Sequence, residues 1–513
     1  MKTLDCELAA PAANAQKALL SGLVLGIAGD LLFIGEAWAG PGFSVWILLL
    51  AVAGVALNSQ ASSGWRRVLG LWSCVAFSAS ALLILRSSAV LLPLICLVLA
   101  MCAVLVILQA RGTTLFEASI EDYLGALWRL PVQVLPGSLP LLGQLQWEGM
   151  TRSRRLLGVL RGLLLAAPVL LLFIALFSQA DAQFSAYVAR LEGIFSIAAS
   201  QHLLTIAVFA WLASGLLLCT VQRSAEQGVR SPRLRLGGEE TAVLMGSLVI
   251  LFSAFVLMQA SYLFGGQAVI EHSSGLTLAE YARRGFFELL LVATFTLVLL
   301  LALSARCPAN IFRPLAFLLV ACVLGILVSA VQRLTLYIDA FGLSMSRLLA
   351  FACMLWLALN LVSFAATCLR GRQRGFASGL VVSGIAAILL FALANPAAVV
   401  ARVNLDRAAG NGTQIDWHYL VSLGADAVPQ IVQNIAQLPY PAQCQLADAL
   451  LLQYGQDSDS KTRDWRNWNW SEARAQRIVQ EAYLDLLKLT ERAEVSTPSW
   501  PQGSFLRMLC ARV

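Results

Sequence analysis

Apolar residues recur along this chain in blocks of 16 to 24, separated by short polar stretches, from residue 18 to residue 395. A block of about 20 apolar residues is long enough for a helix to cross a hydrocarbon layer of roughly 30 Å. Eleven blocks meet that length within tilt: 18–35, 42–57, 68–85, 88–109, 156–178, 199–222, 241–263, 285–304, 314–332, 346–368 and 376–395. The second is the shortest, and Trp46 sits where it could anchor at an interface. The pattern predicts an all-α fold: a polytopic transmembrane helical bundle over 1–395, then a small all-helical extramembrane C-terminal domain over 396–513.

Two stretches break the membrane pattern. Residues 113–150 mix Glu117, Glu121, Asp122 and Arg129 with Leu, Trp128 and three prolines. They predict an amphipathic helix over about 114–130, then a proline-interrupted segment, both within a cytoplasmic stretch at 110–155; a loop packed on the bundle is the competing expectation. Arg152, Arg154 and Arg155, just before the fifth block, would face anionic headgroups. From Asn395-Pro396 onward the chain turns polar, and apolar spacing predicts helices over 397–409, 417–437, 441–455 and 471–489, with Asp416 and Ser471 as N-caps. The tail's two cysteines, Cys444 and Cys510, could pair in an oxidising compartment. Ala37-Trp38-Ala39 has the form of a signal-peptidase site, but the first block is long for a signal peptide, interrupted by Asp30 and preceded by acidic residues, so it reads as an uncleaved span.

Composition confirms the class and charge supplies orientation. The chain is 59% apolar and 13% charged, against about 25% charged in soluble domains, with a mean hydropathy of +0.75. Of 36 basic residues, 25 fall before residue 396 beside 17 acidic ones, while the tail has 11 basic and 12 acidic. Basic residues in the interhelical stretches and at the N-terminus, summed alternately, give 18 on one side and 5 on the other. The rich side should be cytoplasmic. This predicts a multi-pass protein of the bacterial inner membrane with a cytoplasmic N-terminus and a periplasmic tail. The basic excess belongs to membrane orientation, so the expected partners are the lipid bilayer and a periplasmic or membrane protein met by the tail, with no nucleic acid.

Ionisable groups in or near spans are costly unless paired or hydrated, so they are the first candidates for function. Asp30 interrupts the first block; Arg86, Glu271, His272, Glu280, Arg283, Arg284, Glu288, Arg333, Tyr337 and Asp339 fall at or near the outer ends of their helices. Glu280 with Arg283 and Arg284, and Arg284 with Glu288, have neighbouring helical spacing. Arg333 through Asp339 should carry the ninth helix beyond the bilayer until Gly342 stops it. One expectation is a polar, outward-facing cavity between helices one, three, eight and nine, built from Asp30, Arg86, Arg283, Arg284, Glu288, Arg333, Tyr337 and Asp339 and capped by the tail. The other is a set of snorkelling charges and local ion pairs at helix ends. For Asp30, a pocket or a partner such as Arg86 is expected, because its apolar flanks leave little room to snorkel. In the tail, Trp465, Trp468 and Trp470 alternate with Arg and Asn; they suit a stacking surface, the domain's own core, or an aromatic belt that seats the domain on headgroups.

The chemistry excluded is broader. There is no Walker loop, no His-Glu-x-x-His and no Gly-x-Ser-x-Gly. Eleven cysteines without a Cys-x-x-Cys pair and only three histidines, His202, His272 and His418, make zinc and iron–sulfur sites unexpected, and no cofactor is expected. Gly29-Asp30 matches only half of the Gly-x-Gly-Asp pattern of intramembrane aspartyl proteases, since Ile27 stands at the first glycine.

Five segments carry a family likeness: AEYARRGFFELL at 279–290, RLTLYIDAFGLSMSRLLAF at 333–351, NPAAVVARVNLDRA at 395–408, DWHYLVSLGADAVPQIV at 416–432 and RDWRNWNWSEARA at 463–475. In these the chain resembles bacterial polytopic membrane proteins of the domain-of-unknown-function 4153/4173 group. The resemblance implies a membrane bundle and brings no activity, substrate or catalytic residue with it. Three functional classes stay open, in this order: a non-catalytic scaffold or sensor, a secondary transporter or channel for a small solute, and an enzyme acting on lipid-linked substrates. Transporters often carry inverted repeats and mid-membrane breaks; no similarity between the halves is visible, and Pro93 and Pro168 have no glycine-rich break beside them.

Overall fold

A computed structural model describes residues 12–33, 40–110, 114–115, 118, 120–134, 197–221, 237–274, 286–304, 306–367, 370–371, 375–411, 416–455 and 464–495. The described residues are helical or irregular, without strand. The membrane part comprises α1 (Ala12–Phe33), α2 (Pro41–Leu57), α3 (Ser63–Leu85), α4 (Leu91–Ala110), α5 (Ile120–Val134), α6 (Ile197–Val221), α7 (Gly238–Ser274), α8 (Phe286–Ser304), α9 (Ala309–Phe341), α10 (Met345–Thr367) and α11 (Phe376–Leu393). The tail comprises α12 (Pro396–Asn411), α13 (Trp417–Ser422), α14 (Val428–Asn434), α15 (Tyr440–Tyr454), α16 (Trp470–Glu481) and α17 (Tyr483–Val495).

Eight of the described helices are long and apolar enough to cross a membrane, and α2 and the apolar part of α8 are shorter apolar helices beside them. Their outward surfaces suit lipid: Leu20, Val24, Ile27 and Leu31 form an exposed apolar face on α1. The expected span at 156–178 lies outside the described residues, as do Arg152, Arg154 and Arg155. On either side of that stretch, α4 ends against α5 and Tyr123, whereas α6 begins beside the tail-side end of α1, where His202 meets Asp30.

Asn58, the residue after α2, reaches Thr220 at the far end of α6 and accepts from Trp65 at the start of α3. Gly40, the residue before α2, lies against Arg466 of the tail. Short as it is, α2 therefore runs from the tail side of the bundle to the opposite side. Such polar pairing is needed because helix ends leave backbone and side-chain groups that lipid cannot satisfy.

Packing divides the bundle into sectors. Leu25, Trp46, Phe209 and Leu217 join α1, α2 and α6. Trp72, Ile95, Leu105, Tyr123 and Ile385 join α3, α4, α5 and α11. Met245, Leu297, Val323, Met354 and Phe364 join α7 to α10. Helix α1 lies close on α6, where a Cβ on Gly26 would come within 2.5 Å of the Ile206 carbonyl. Small residues allow such contact, and dispersion between touching backbones is what helix association in lipid depends on.

The 33 residues of α9 span about 50 Å at 1.5 Å each, well beyond the hydrocarbon layer. Gly342 ends it as the sequence predicts: its φ is +80° and its amide donates to the Ile338 carbonyl at 2.7 Å. The amphipathic segment is helical over Ile120–Val134, with Pro131 inside it and Trp128 exposed. An ion pair of 2.6 Å between Glu121 and Arg306 ties it to the turn between α8 and α9.

Between α11 and α12 the chain turns at Asn395, which has φ +53° and whose Oδ1 accepts from Ala398 N at 3.2 Å, capping α12 while Pro396 opens it. The tail then folds around Leu405, Leu420, Ile431, Leu446, Leu450 and Val479, and Leu343 and Met345 from the α9–α10 turn enter the same core. Asp416 caps α13 through Tyr419 N at 2.9 Å, as expected. The helix expected over 417–437 is broken at Gly424, whose φ of +79° ends α13. The helix expected over 471–489 is divided at Ala482. Its first half is capped by Asn469 rather than Ser471: Asn469 Oδ1 accepts from the amides of Ser471 and Glu472. Cys444 is buried in α15, and Cys510 lies outside the described residues.

Candidate functional site

Most of the described candidate groups gather at the tail-side rim, but they occupy separate positions around it. Asp30 is 6% exposed and meets His202 of α6, with Oδ2 to Nδ1 at 2.8 Å. Its Oδ1 is buried without a hydrogen-bond partner. Arg86, one of the partners expected for Asp30, is committed elsewhere. Its guanidinium donates to the carbonyls of Ala392 at 3.2 Å and Leu393 at 2.8 Å, closing the end of α11, and approaches Asp426 of the tail at 3.7 Å.

Asp426 is the centre of a docking seam that its sequence context does not announce. Its side chain is 1% exposed. Oδ2 accepts from Ser87 N at 2.8 Å and Ser87 Oγ at 3.3 Å, and Oδ1 accepts from Ser471 Oγ at 2.8 Å. Beside it Asn469 Nδ2 donates to the carbonyls of Leu83 and Arg86 at 2.9 and 3.0 Å. One asparagine thus caps α16 with its oxygen and closes the end of α3 with its nitrogen. A second foothold is Arg466, which pairs with Asp464 and donates to the Leu31 carbonyl at the end of α1. The tail is held by polar groups aimed at helix-end carbonyls and amides, the groups that a helix leaves unpaired.

Trp465, Trp468 and Trp470 flank this second foothold and are 57, 41 and 49% exposed. They do not form the tail's core. Trp468 and Trp470 meet edge to face with centroids 6.2 Å apart. Placed beside the ends of α1 and α2, they stand where an aromatic belt would meet headgroups.

At the other side of the rim, Tyr337 lies under the Arg347 guanidinium, 4.0 Å from ring centroid to Cζ, and Asp339 is exposed. Arg333 is half-buried on the same helix, and Glu288 is exposed in the first turn of α8. Arg283, Arg284 and Glu280 lie outside the described residues, and the side chains of Glu271 and His272 are likewise not described. The described members of the expected set are therefore distributed among α1–α6, α3–α11, α8 and α9–α10, rather than brought into one cavity between α1, α3, α8 and α9.

A polar cavity of about 250 Å³ does open next to Tyr337, between the α9–α10 turn and the tail. Arg347, Arg407, Asn404, Asp416 and Tyr419 line it. Asn404 clamps the turn by accepting from Leu343 N at 2.7 Å and donating to Leu343 O at 2.8 Å. The Tyr419 hydroxyl accepts from Met345 N at 2.7 Å. Burial raises the Tyr419 phenol above its ordinary range; the Met345 bond and Arg347 oppose this and Asp416 adds to it. Among the described residues no group of three or more His, Cys, Asp and Glu is placed to hold a metal ion.

These features define a polytopic helical membrane protein with a helical domain docked on one end of its bundle. The chain belongs to the family described as domain of unknown function (DUF4153), which it matches over residues 68–434. That match begins within α3 and runs through α14, so it contains Arg86, the α9–α10 turn and Asp426. No curated protein and no solved structure matches the chain.

Proposed function

We propose that this protein is a non-catalytic scaffold or sensor of the bacterial inner membrane, with its N-terminus in the cytoplasm and its tail domain in the periplasm. The observation that supports this reading is the seam at Asp426. A carboxylate that is 1% exposed and bonded to both bundle and tail couples a change in either to the other, because a buried charge cannot lose its partners cheaply. The orientation is supported by the arginines that the sequence concentrates after α6 and after α10, two helices that end away from the tail, α6 where Thr220 meets Asn58 and α10 a full span beyond Met345 in the tail core.

Photo-crosslinkers at Trp468 and at Leu484, both exposed, test the reading in cells expressing the full chain. A discrete adduct whose yield changes in Asp426→Ala is expected; no adduct at either position overturns it. Alkylation of single cysteines placed in the tail and within 223–236 checks the orientation, which cytoplasmic labelling of the tail would reverse.

A transporter is the second reading, and one observation favours it: Asp30 presents a buried, unpartnered oxygen opposite His202. Saturable solute uptake into proteoliposomes that disappears in Asp30→Asn would place that reading first.

A further inference from the structure

The geometry points to a phosphate-binding site in the cavity between the α9–α10 turn and the tail, with Arg347 and Arg407 as the anion-binding pair. Arg347 gives one Nη–H to the Gly342 carbonyl and Arg407 gives one to the Ala340 carbonyl at 2.9 Å. Neither guanidinium has another hydrogen-bond acceptor among the described residues, so each keeps most of its five donors. Those two backbone bonds, with the Tyr337 ring 4.0 Å under Arg347, hold both cations in place on the rim of the cavity. Preoriented guanidinium forks are the side chains best matched to phosphate oxygens.

The backbone adds to the fit. Gly342 packs so closely that a Cβ there would come within 2.7 Å of Asn404 Oδ1 and 3.1 Å of Arg407 Nη1. The Tyr419 hydroxyl already accepts from Met345 N, which leaves its own proton for a ligand. Asp416 lines the same cavity and opposes an anion in part. Its carboxylate favours a ligand in which the phosphate carries an ammonium or hydroxyl group beside it. A volume of about 250 Å³ admits such a polar head.

The location narrows the source to two. The apolar run of α10 begins at Leu348, immediately after Arg347, so the cavity mouth lies at the level where phospholipid headgroups meet water. A phospholipid headgroup and a soluble phosphate ester offer the same chemistry there. The site does not depend on the scaffold or sensor reading, although it would give a sensor its ligand.

The test uses the full chain purified in detergent, with thermal unfolding followed during titration with short-chain phosphatidylethanolamine, short-chain phosphatidylglycerol, ethanolamine phosphate or inorganic phosphate. A saturable rise in midpoint is expected for at least one. Rise with the lipids alone identifies the headgroup as ligand, and rise with the soluble phosphates identifies a free ester. Arg407→Gln is expected to weaken the effective ligand at least tenfold. Asp416→Asn keeps an oxygen to cap α13 and is expected to tighten inorganic phosphate or phosphatidylglycerol severalfold, a gain that a damaged fold would not produce. No saturable rise with any probe, or equal affinity in wild type and both variants, overturns the site.

Discussion

Removing the Asp426 carboxylate should release the tail from the bundle. In Asp426→Ala the Ser87 amide loses its acceptor at 2.8 Å and the Ser471 hydroxyl loses its acceptor at 2.8 Å. A buried amide left without a partner costs about 1–3 kcal/mol. The Ser471 hydroxyl can turn elsewhere and adds about 1 kcal/mol. Arg86 loses its counter-charge, a contact that is long at 3.7 Å with the guanidinium 22% exposed, which adds about 1 kcal/mol. Its bonds to Ala392 and Leu393 survive the substitution. The sum is about 3–5 kcal/mol, in the range measured when one partner of a buried pair is removed.

Hydrogen exchange read on peptides covering 83–90 and 464–475 measures this directly. If the seam opens as a local unit, exchange should accelerate about 100-fold to several thousand-fold, while peptides within α9 stay protected. Asp426→Asn keeps one acceptor oxygen and should lose less. Because the serines carry most of the interaction, a double-mutant cycle between Arg86→Gln and Asp426→Asn should give coupling near 1 kcal/mol. Unchanged exchange in Asp426→Ala would refute the seam. Coupling above about 3 kcal/mol would refute the ranking of its contacts and make the Arg86–Asp426 charge pair the dominant one.

Three further outcomes follow from other parts of the fold. Gly26→Val should sharply reduce the yield of folded protein in mild detergent, because its Cβ alone would sit 2.5 Å from the Ile206 carbonyl, whereas Gly70→Val, with nothing within 4 Å, should leave it near wild type. Asn395→Val should cost about 2 kcal/mol through loss of the α12 cap and a positive φ that β-branched residues resist, and Asn395→Gly should recover much of it; thermal unfolding of the full chain reads both. Asp448 has its carboxyl pKa raised by burial, so its stabilising contribution is present at low pH and is lost as pH rises through the folded-state value. Asp448→Asn should therefore stabilise the tail at pH 7 relative to pH 4 when compared with wild type, and an unchanged pH profile would contradict that assignment.

Hydropathy is a coordinate of depth, and what it could say about this chain follows from that. It located the described spans, the overrun of α9 to Gly342, the change of character at Asn395-Pro396 and the level of the polar rim. Depth carries no information about which helix stands beside which, so Asp30, Arg86, Glu288 and Tyr337, all read at one level, invited a shared cavity. The structure distributes them around the rim because α6 stands beside α1 and brings His202 to Asp30 across 172 residues. The close approach of α1 and α6 did leave a local signal in the spacing of Gly22, Gly26 and Gly29.

Asp426 left none: within Gly-Ala-Asp-Ala it reads as a surface acid after a helix, and its meaning comes from Ser87, 339 positions away. The same limit explains the caps. Asp416 was legible because its partner, Tyr419 N, lies three residues on. Asn469 and Ser471 rank alike as caps by a local rule, and the choice between them rests on Ser471 being needed by Asp426. Among the residues that join tail to bundle, local chemistry identifies donors and acceptors, but only the tertiary arrangement of helix ends determines which of them meet.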